Sequence, residues 1–314
     1  MNIDNPGIYD IDAATYHSDP VVTPSLSASI VKIMLTATPR HAYTAHPRLN
    51  PHFEPEEDGA FDLGTAAHHL MLGDAGKFAI LAFDDWRKKE AQAARDESRT
   101  AGKIPLLEKH WDRMDAMVTA GRAQLANHQD AHDAFTDGKP EQTLVWQEGE
   151  AWCRARLDWL PDDPQRPHDD YKTTGSADPD VFQRVAYSVG HDIQAAFYRR
   201  GIRAVRGVKN PKIRFIVQEV EDPFALCSIA LNDEALDLAD YKIDMALKQW
   251  RWCLQNNIWP GYPAQTCIIG PPAWHEGQVL AREETRAAAA RHAGVEPGPA
   301  LLEQSLRFQS PQPR

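Results

Sequence analysis

"RARLDWLPDDPQRPHDDYKTTG", Arg154 to Gly175, sets two strand-like runs on either side of a Pro- and Asp-rich break. Side chains alternate faces along a strand, so Arg154, Arg156 and Asp158 share one face of the first run, "AWCRARLDWL". Asp170 and Lys172 share one face of the second. If Pro161–Asp169 connects paired strands, the carboxylates of Asp158 and Asp170 meet. Asp162, in the neighbouring Pro-Asp pair, reads as a turn residue, which leaves Asp158 as the better-placed acid.

Working outward, "EQTLVWQ", "IRFIVQEV" and "FALCSIAL" are further short runs rich in β-branched and aromatic residues, bounded by turn signals such as Glu-Gly-Glu and Glu-Asp-Pro. A helix is expected from Pro179 to Arg200, with Asp178 as N-cap and Pro179 at its first position. Another should run from Glu234 to Asn256. Upstream, "SLSASIVKIMLTATPRHAY" opens a helix at Ser27 or Ser29 that stops before Pro39, and "FDLGTAAHHLMLG" reads as a short apolar helix. A surface loop, "AHPRLNPHFEPEEDG", separates them. A charged stretch from Asp84 to Lys103 precedes a long amphipathic helix from Leu106 to Asn127. The expected fold class is α/β: a central mixed sheet flanked by helices. A single domain is expected over residues 1–275, mostly helical to 130 with its core at 140–256. A loose helix and tail follow over 276–314.

The composition of the 314 residues, 42% hydrophobic and 25% charged, is that of a globular protein with a sizeable core. No apolar run reaches 18 residues, so no membrane span is expected, and "MNIDNPGIYDIDAATYH" does not resemble a secretory leader. The expected location is the cytoplasm. A net charge of −11 disfavours non-specific coating of nucleic acid, so any such contact needs a local patch. "YRRGIRAVRGVKNPKIRF" offers one, with Arg199, Arg200, Arg203, Arg206, Lys209, Lys212 and Arg214 and no acid; a solvated helix end is the bland alternative. Cys153, Cys227, Cys253 and Cys267 are dispersed, which argues against a zinc ribbon or an iron–sulfur cluster.

Two close carboxylates repel unless a cation lies between them, and hard oxygen ligands suit Mg²⁺ or Mn²⁺. A lysine beside such an ion can hold an attacking water and offset phosphate charge, the logic of metal-assisted phosphodiester hydrolysis. A chance ion pair at a sheet edge would also give Asp-x-Lys. His68, on the short apolar helix, is by itself a capping or packing residue as readily as a ligand. Gln194 and Tyr198, four apart, share a helix face beside the apolar stripe of Phe182, Val185, Val189, Ile193 and Phe197. His128 and His132 could bind zinc from one helix face, but no third ligand has a recognisable spacing.

As an ordered set, Gly64-Thr65-x-x-His68, Asp158, Asp170-x-Lys172-Thr173 and Gln194-x-x-x-Tyr198 resemble the PD-(D/E)xK nuclease superfamily in its RecB-like branch. More narrowly, most of residues 8–275 resemble the exonuclease VIII (RecE-type) nuclease domain of phages and prophages. The resemblance implies a restriction-endonuclease-like core and an Mg²⁺- or Mn²⁺-dependent exonuclease acting on double-stranded DNA for recombination. It implies His68, Asp158, Asp170 and the carbonyl of Tyr171 as metal ligands, with Lys172 as the catalytic lysine. Gln194 and Tyr198 would be its positioning pair, and Glu141 an accessory acid. The Gly64-Thr65 spacing selects His68 over His69. The basic run then reads as a DNA track. A ring-shaped homo-oligomer and a single-strand annealing protein as partner are further implications. A cysteine-bound cluster is not expected, because these cysteines do not follow the relatives' pattern. A structure-specific or single-strand endonuclease using the same site, or a non-catalytic module binding DNA or a recombination partner, are the alternatives.

Overall fold

The computed structural model describes residues 2–54, 63–73 and 75–292. In chain order its elements are β1 (Gly7–Tyr9), α1 (Ala13–His17), α2 (Ala28–Thr36), α3 (Pro39–Ala45), α4 (Leu63–Met71), β2 (Phe78–Leu81), α5 (Lys89–Thr100), β3 (Ile104–Leu107) and α6 (Glu108–Ala126). There follow β4 (Gly138–Glu148), β5 (Ala151–Pro161), β6 (His168–Thr174), α7 (Pro179–Val189), α8 (His191–Arg206), β7 (Ile213–Glu219), β8 (Leu226–Ile229), α9 (Asp233–Asn256) and α10 (Ala273–His292). The chain divides into two compact units, Met1–Gly261 and Tyr262–Arg314, a boundary earlier than the expected one at 275. α10 belongs to the second unit and all the other elements to the first.

The fold is mixed α/β. β4 lies antiparallel between β1 and β5, β6 runs parallel to β7, and β7 runs antiparallel to β8. The parallel pair β6–β7 needs a crossover, which α7 and α8 supply. Helices cover both faces of that pair. Phe215 and Val217 pack with Phe197 and Ile202 of α8 and with Trp250 of α9, whereas Tyr171 and Ile216 pack with Met114 and Met117 of α6 and with α4. β7 is accordingly buried along nearly its whole length.

Several boundaries follow from local chemistry already visible in the residues. The Ser27 side chain accepts from the Ile30 N–H and opens α2, and Asp178 accepts from Asp180 and Val181 to open α7. The single helix expected over Pro179–Arg200 is instead two. Gly190 adopts a left-handed conformation, φ 76°, ending α7 and re-aiming α8. The charged stretch holds a helix, α5. The short strands β1, β2 and β3 carried too little alternation to be read from sequence. β2 and β3 form a separate parallel pair. Residues 55–62 of the expected loop and helix start, and the tail from 293, lie outside the described residues.

The strand pairing expected across Pro161–Asp169 takes another form. Among the described residues no backbone ladder joins β5 to β6. At that seam the Asp158 carboxylate accepts from the Tyr171 N–H at 2.9 Å, so a side chain stands where a strand carbonyl would.

Candidate active site

The seam collects side chains from both faces of the sheet. Along β4 and β5 the register pairs Pro140 with Trp159 and Gln142 with Leu157, placing Glu141 opposite Asp158. Glu141 has a positive φ of 57°, a conformation that costs a non-glycine residue. Arg156 holds its carboxylate through Nε at 2.6 Å and through a second, closer guanidinium contact. α4 brings His68 to the same place, with Nε2 3.0 Å from Asp158 and Nδ1 3.6 Å from Glu141. Among the described residues the ligand atoms of His68, His69 and Glu141 form a group within 4.8 Å of one another. His69, set aside on motif spacing, is therefore within ligand reach.

From the other face, α8 reaches the second acid. Gln194 Nε2 donates to Asp170 Oδ2 at 2.9 Å and to the Tyr198 hydroxyl at 3.0 Å; that hydroxyl donates to the Arg156 carbonyl on β5 at 2.8 Å. The Gln-x-x-x-Tyr pair thus ties α8 to both strands. Lys172, on the same face of β6 as Asp170, contacts its other oxygen, Oδ1. His191 completes the row, with Nδ1 3.2 Å from Gln194 Oε1.

The electrostatics follow from crowding. Burial, and then the charge of Asp158, push the Asp170 carboxyl up to about 6, against the pull of Lys172. Burial would also raise Asp158, but His68, Lys172 and the Tyr171 N–H outweigh it and hold Asp158 below its ordinary range. Burial would depress His68 and Lys172. The adjoining carboxylates overcome it in both, so each holds its proton more tightly than usual. Cationic side chains therefore balance a cluster of acids. A divalent cation would relieve the same Asp158–Asp170 repulsion. The carboxylate oxygens suit Mg²⁺ or Mn²⁺, whereas the imidazole is a softer donor of the kind transition metals take. The Tyr171 carbonyl leaves its strand on the same side as the N–H that meets Asp158, and so is directed toward this group.

All eight residues that the sequence motifs picked out, His68, Glu141, Asp158, Asp170, Tyr171, Lys172, Gln194 and Tyr198, come together here. Asp162 does not; its N–H bonds Asp137 in the turn after β5. His128 and His132 fall beyond the end of α6, in turns rather than on one helix face. Sequence reasoning missed Arg156, although its place two residues before Asp158 on one strand face was the available signal.

The basic stretch is divided by the fold rather than forming one strip. Arg200 binds Glu148, Asp240 and Asp244, and Arg214 binds Asp169 and Asp133, so both charges are neutralised internally. Arg206 donates to the Pro161 and Asp162 carbonyls. Arg199 is buried, while Arg203, Lys209 and Lys212 are exposed.

A family model described as a PDDEXK-like domain of unknown function (DUF3799) matches residues 27–269, a span that encloses every residue of the cluster. The chain belongs to this PDDEXK-like family. A crystal structure from Eubacterium rectale that carries the name "Putative exonuclease" is similar to it in fold. The TM-score is 0.54 at 11% identity, covering 84% of this chain and 96% of that one. No curated protein matches. The family domain's fold therefore has the PD-(D/E)xK nuclease architecture expected from the motifs. Among the described residues no helix is long and apolar enough to cross a membrane.

Proposed function

We propose that the chain is a divalent-metal-dependent deoxyribonuclease, an exonuclease of the RecE type that hydrolyses double-stranded DNA from its ends in recombination. The observation that carries this reading is the convergence of Asp158, Asp170 and Lys172 at the β5–β6 seam, with His68 on one side and Gln194 on the other. His68, Asp158, Asp170 and the Tyr171 carbonyl would hold Mg²⁺ or Mn²⁺, with Glu141 and His69 next to them. Such an ion lowers the pKa of a bound water and offsets charge on a phosphoryl oxygen.

The chain's own residues do the rest. Lys172, kept protonated by Asp170 and Asp158, orients the nucleophilic water and balances the growing negative charge on the scissile phosphate. Gln194 holds Asp170 by one oxygen and thereby fixes the other toward Lys172. Tyr198 anchors Gln194 to β5. Arg156 holds the Glu141 carboxylate, whose other oxygen faces His68. The exposed Arg203, Lys209 and Lys212 supply phosphate contacts. The ring-shaped homo-oligomer and the annealing partner belong to the same proposal and are supported by the family resemblance.

The test is digestion of linear and covalently closed circular duplex DNA with Mg²⁺ or Mn²⁺, with EDTA as control, by wild type and Lys172→Ala. Loss of linear DNA alone, by wild type alone, is expected, with the variant slower by about a hundredfold or more. Cutting of closed circles would replace the exonuclease with an endonuclease. Equal digestion by both proteins would remove Lys172 from the mechanism.

A further inference from the structure

Next to Tyr198 on α8, and turned about 100° around the helix from it, Arg199 takes no part in the cluster above. It is 8% exposed, and its Nε is buried without a hydrogen-bond partner. Among the described residues the one polar contact of its guanidinium is from Nη2 to Asn210 Oδ1, long at 3.4 Å. A guanidinium taken out of water without an anion is costly, and buried arginines are ordinarily paired. Arg214, equally buried nearby, shows the usual solution, with two carboxylates against it.

Arg199 lines a cavity of about 380 Å³ between α8, the start of β7 and the start of α9. Lys212 and Asn210, both exposed, stand at its mouth. Apolar residues, among them Ile213 and Leu231, form part of its walls, and Arg214, Asp130 and Asp233 also face it. Neither aspartate forms an ion pair with Arg199. The cavity thus presents a buried guanidinium that forms no ion pair among the described residues, a lysine at the rim, apolar wall residues and two acceptors.

We propose that this cavity binds a nucleoside monophosphate. Its phosphate would sit on Arg199 and Lys212, which supply charge-assisted bonds to phosphate oxygens. Its base would lie against the apolar walls, and a sugar hydroxyl would donate to Asp130 or Asp233. A phosphate ion alone fills too little of the volume, which falls in the range of small-molecule sites. The inference does not depend on the nuclease reading: none of these residues belongs to the carboxylate cluster, and Lys212 alone is shared with the proposed DNA contacts.

The experiment is calorimetric titration of the whole protein in EDTA with dAMP, with deoxyadenosine and with inorganic phosphate. dAMP should bind, the nucleoside should not, and phosphate should bind more weakly than dAMP. Arg199→Gln and Lys212→Ala should each weaken dAMP about tenfold or more, while Lys172→Ala should leave it unchanged. Lys212 is exposed, so its variant decides the matter if Arg199→Gln does not fold. No dAMP binding by the folded wild type would overturn the proposal, as would phosphate binding as tightly as dAMP. Binding lost in Lys172→Ala but kept in Arg199→Gln would move the ligand to the carboxylate cluster and also overturn it.

Discussion

Asp169 and Asp170 are neighbours on β6, and alternation sends them to opposite faces and opposite roles. Asp170 meets Gln194 and Lys172, whereas Asp169 is buried against Arg214. That contact is two-pronged, Nε to Oδ1 at 2.6 Å and Nη2 to Oδ2 at 3.1 Å, and the Phe135 N–H adds a 3.3 Å bond to Oδ2. Replacing one member of a buried pair leaves the other desolvated and uncompensated, at a cost of about 3–5 kcal/mol. Asp169→Ala leaves Arg214 a second carboxylate, Asp133 at 3.0 Å, so the loss should fall near the lower end, about 3 kcal/mol. Burial holds the Asp169 carboxyl above its ordinary range despite Arg214, the sign of a pair whose desolvation is not fully offset. The double replacement Asp169→Leu/Arg214→Met should therefore lose less than Asp169→Ala alone. Urea unfolding at pH 7 in EDTA reads both, and the single variant should shift the midpoint by about 1 M or more. If Asp169→Ala costs under about 1 kcal/mol, or if the double variant costs the sum of the two singles, the reasoning fails.

Other outcomes are expected. Burial holds His191 neutral, with Lys172 assisting, at a pKa of about 4. The unfolded chain binds this proton more readily, so the contribution is full above pH ~6.5 and is lost as pH falls toward 4. At pH 5 the loss is about 2 kcal/mol, and His191→Phe should remove that share of the pH dependence in denaturation curves taken from pH 7.5 to 5. Gly190→Ala forces a left-handed alanine and moves the Lys32 side chain, whose Cδ lies 2.5 Å from the new Cβ. Thermal denaturation should show a loss of about 1–2 kcal/mol, with Gly190→Asn losing less. Tyr198→Phe deletes the anchor to the Arg156 carbonyl; it should cost about 1 kcal/mol of stability and slow cleavage while leaving duplex affinity intact. A gel-shift assay in Ca²⁺ beside a digestion time course would separate these, and weakened DNA binding would count against a positioning role.

Much of the site was legible because its parts are local. Asp158 and Asp170 could be assigned to strand faces from alternation alone, and the Gln194–Tyr198 pair to one helix face from a spacing of four. The N-caps at Ser27 and Asp178 were equally readable, since a cap needs only its own side chain and the next turn. Gly190 was harder: a glycine within an otherwise periodic run is tolerated in many helices, and nothing beside it in the chain announces a left-handed turn. The fate of the basic stretch was not readable. Whether Arg200 faces solvent or three carboxylates depends on Glu148, Asp240 and Asp244, which come from β4 and α9.

The chain's order of residues by itself determined the α/β class, the motif set and the pairing of acid with lysine on one strand face, because backbone periodicity dictates which side chains lie together within an element. Tertiary structure alone decided that β5 and β6 meet at a seam without a ladder, that Glu141 is bent toward His68, and that Arg199 ends in a cavity while Arg200 is neutralised. Those outcomes depend on which distant carboxylates, carbonyls and apolar walls packing brings against a side chain, and sequence spacing carries no record of such neighbours.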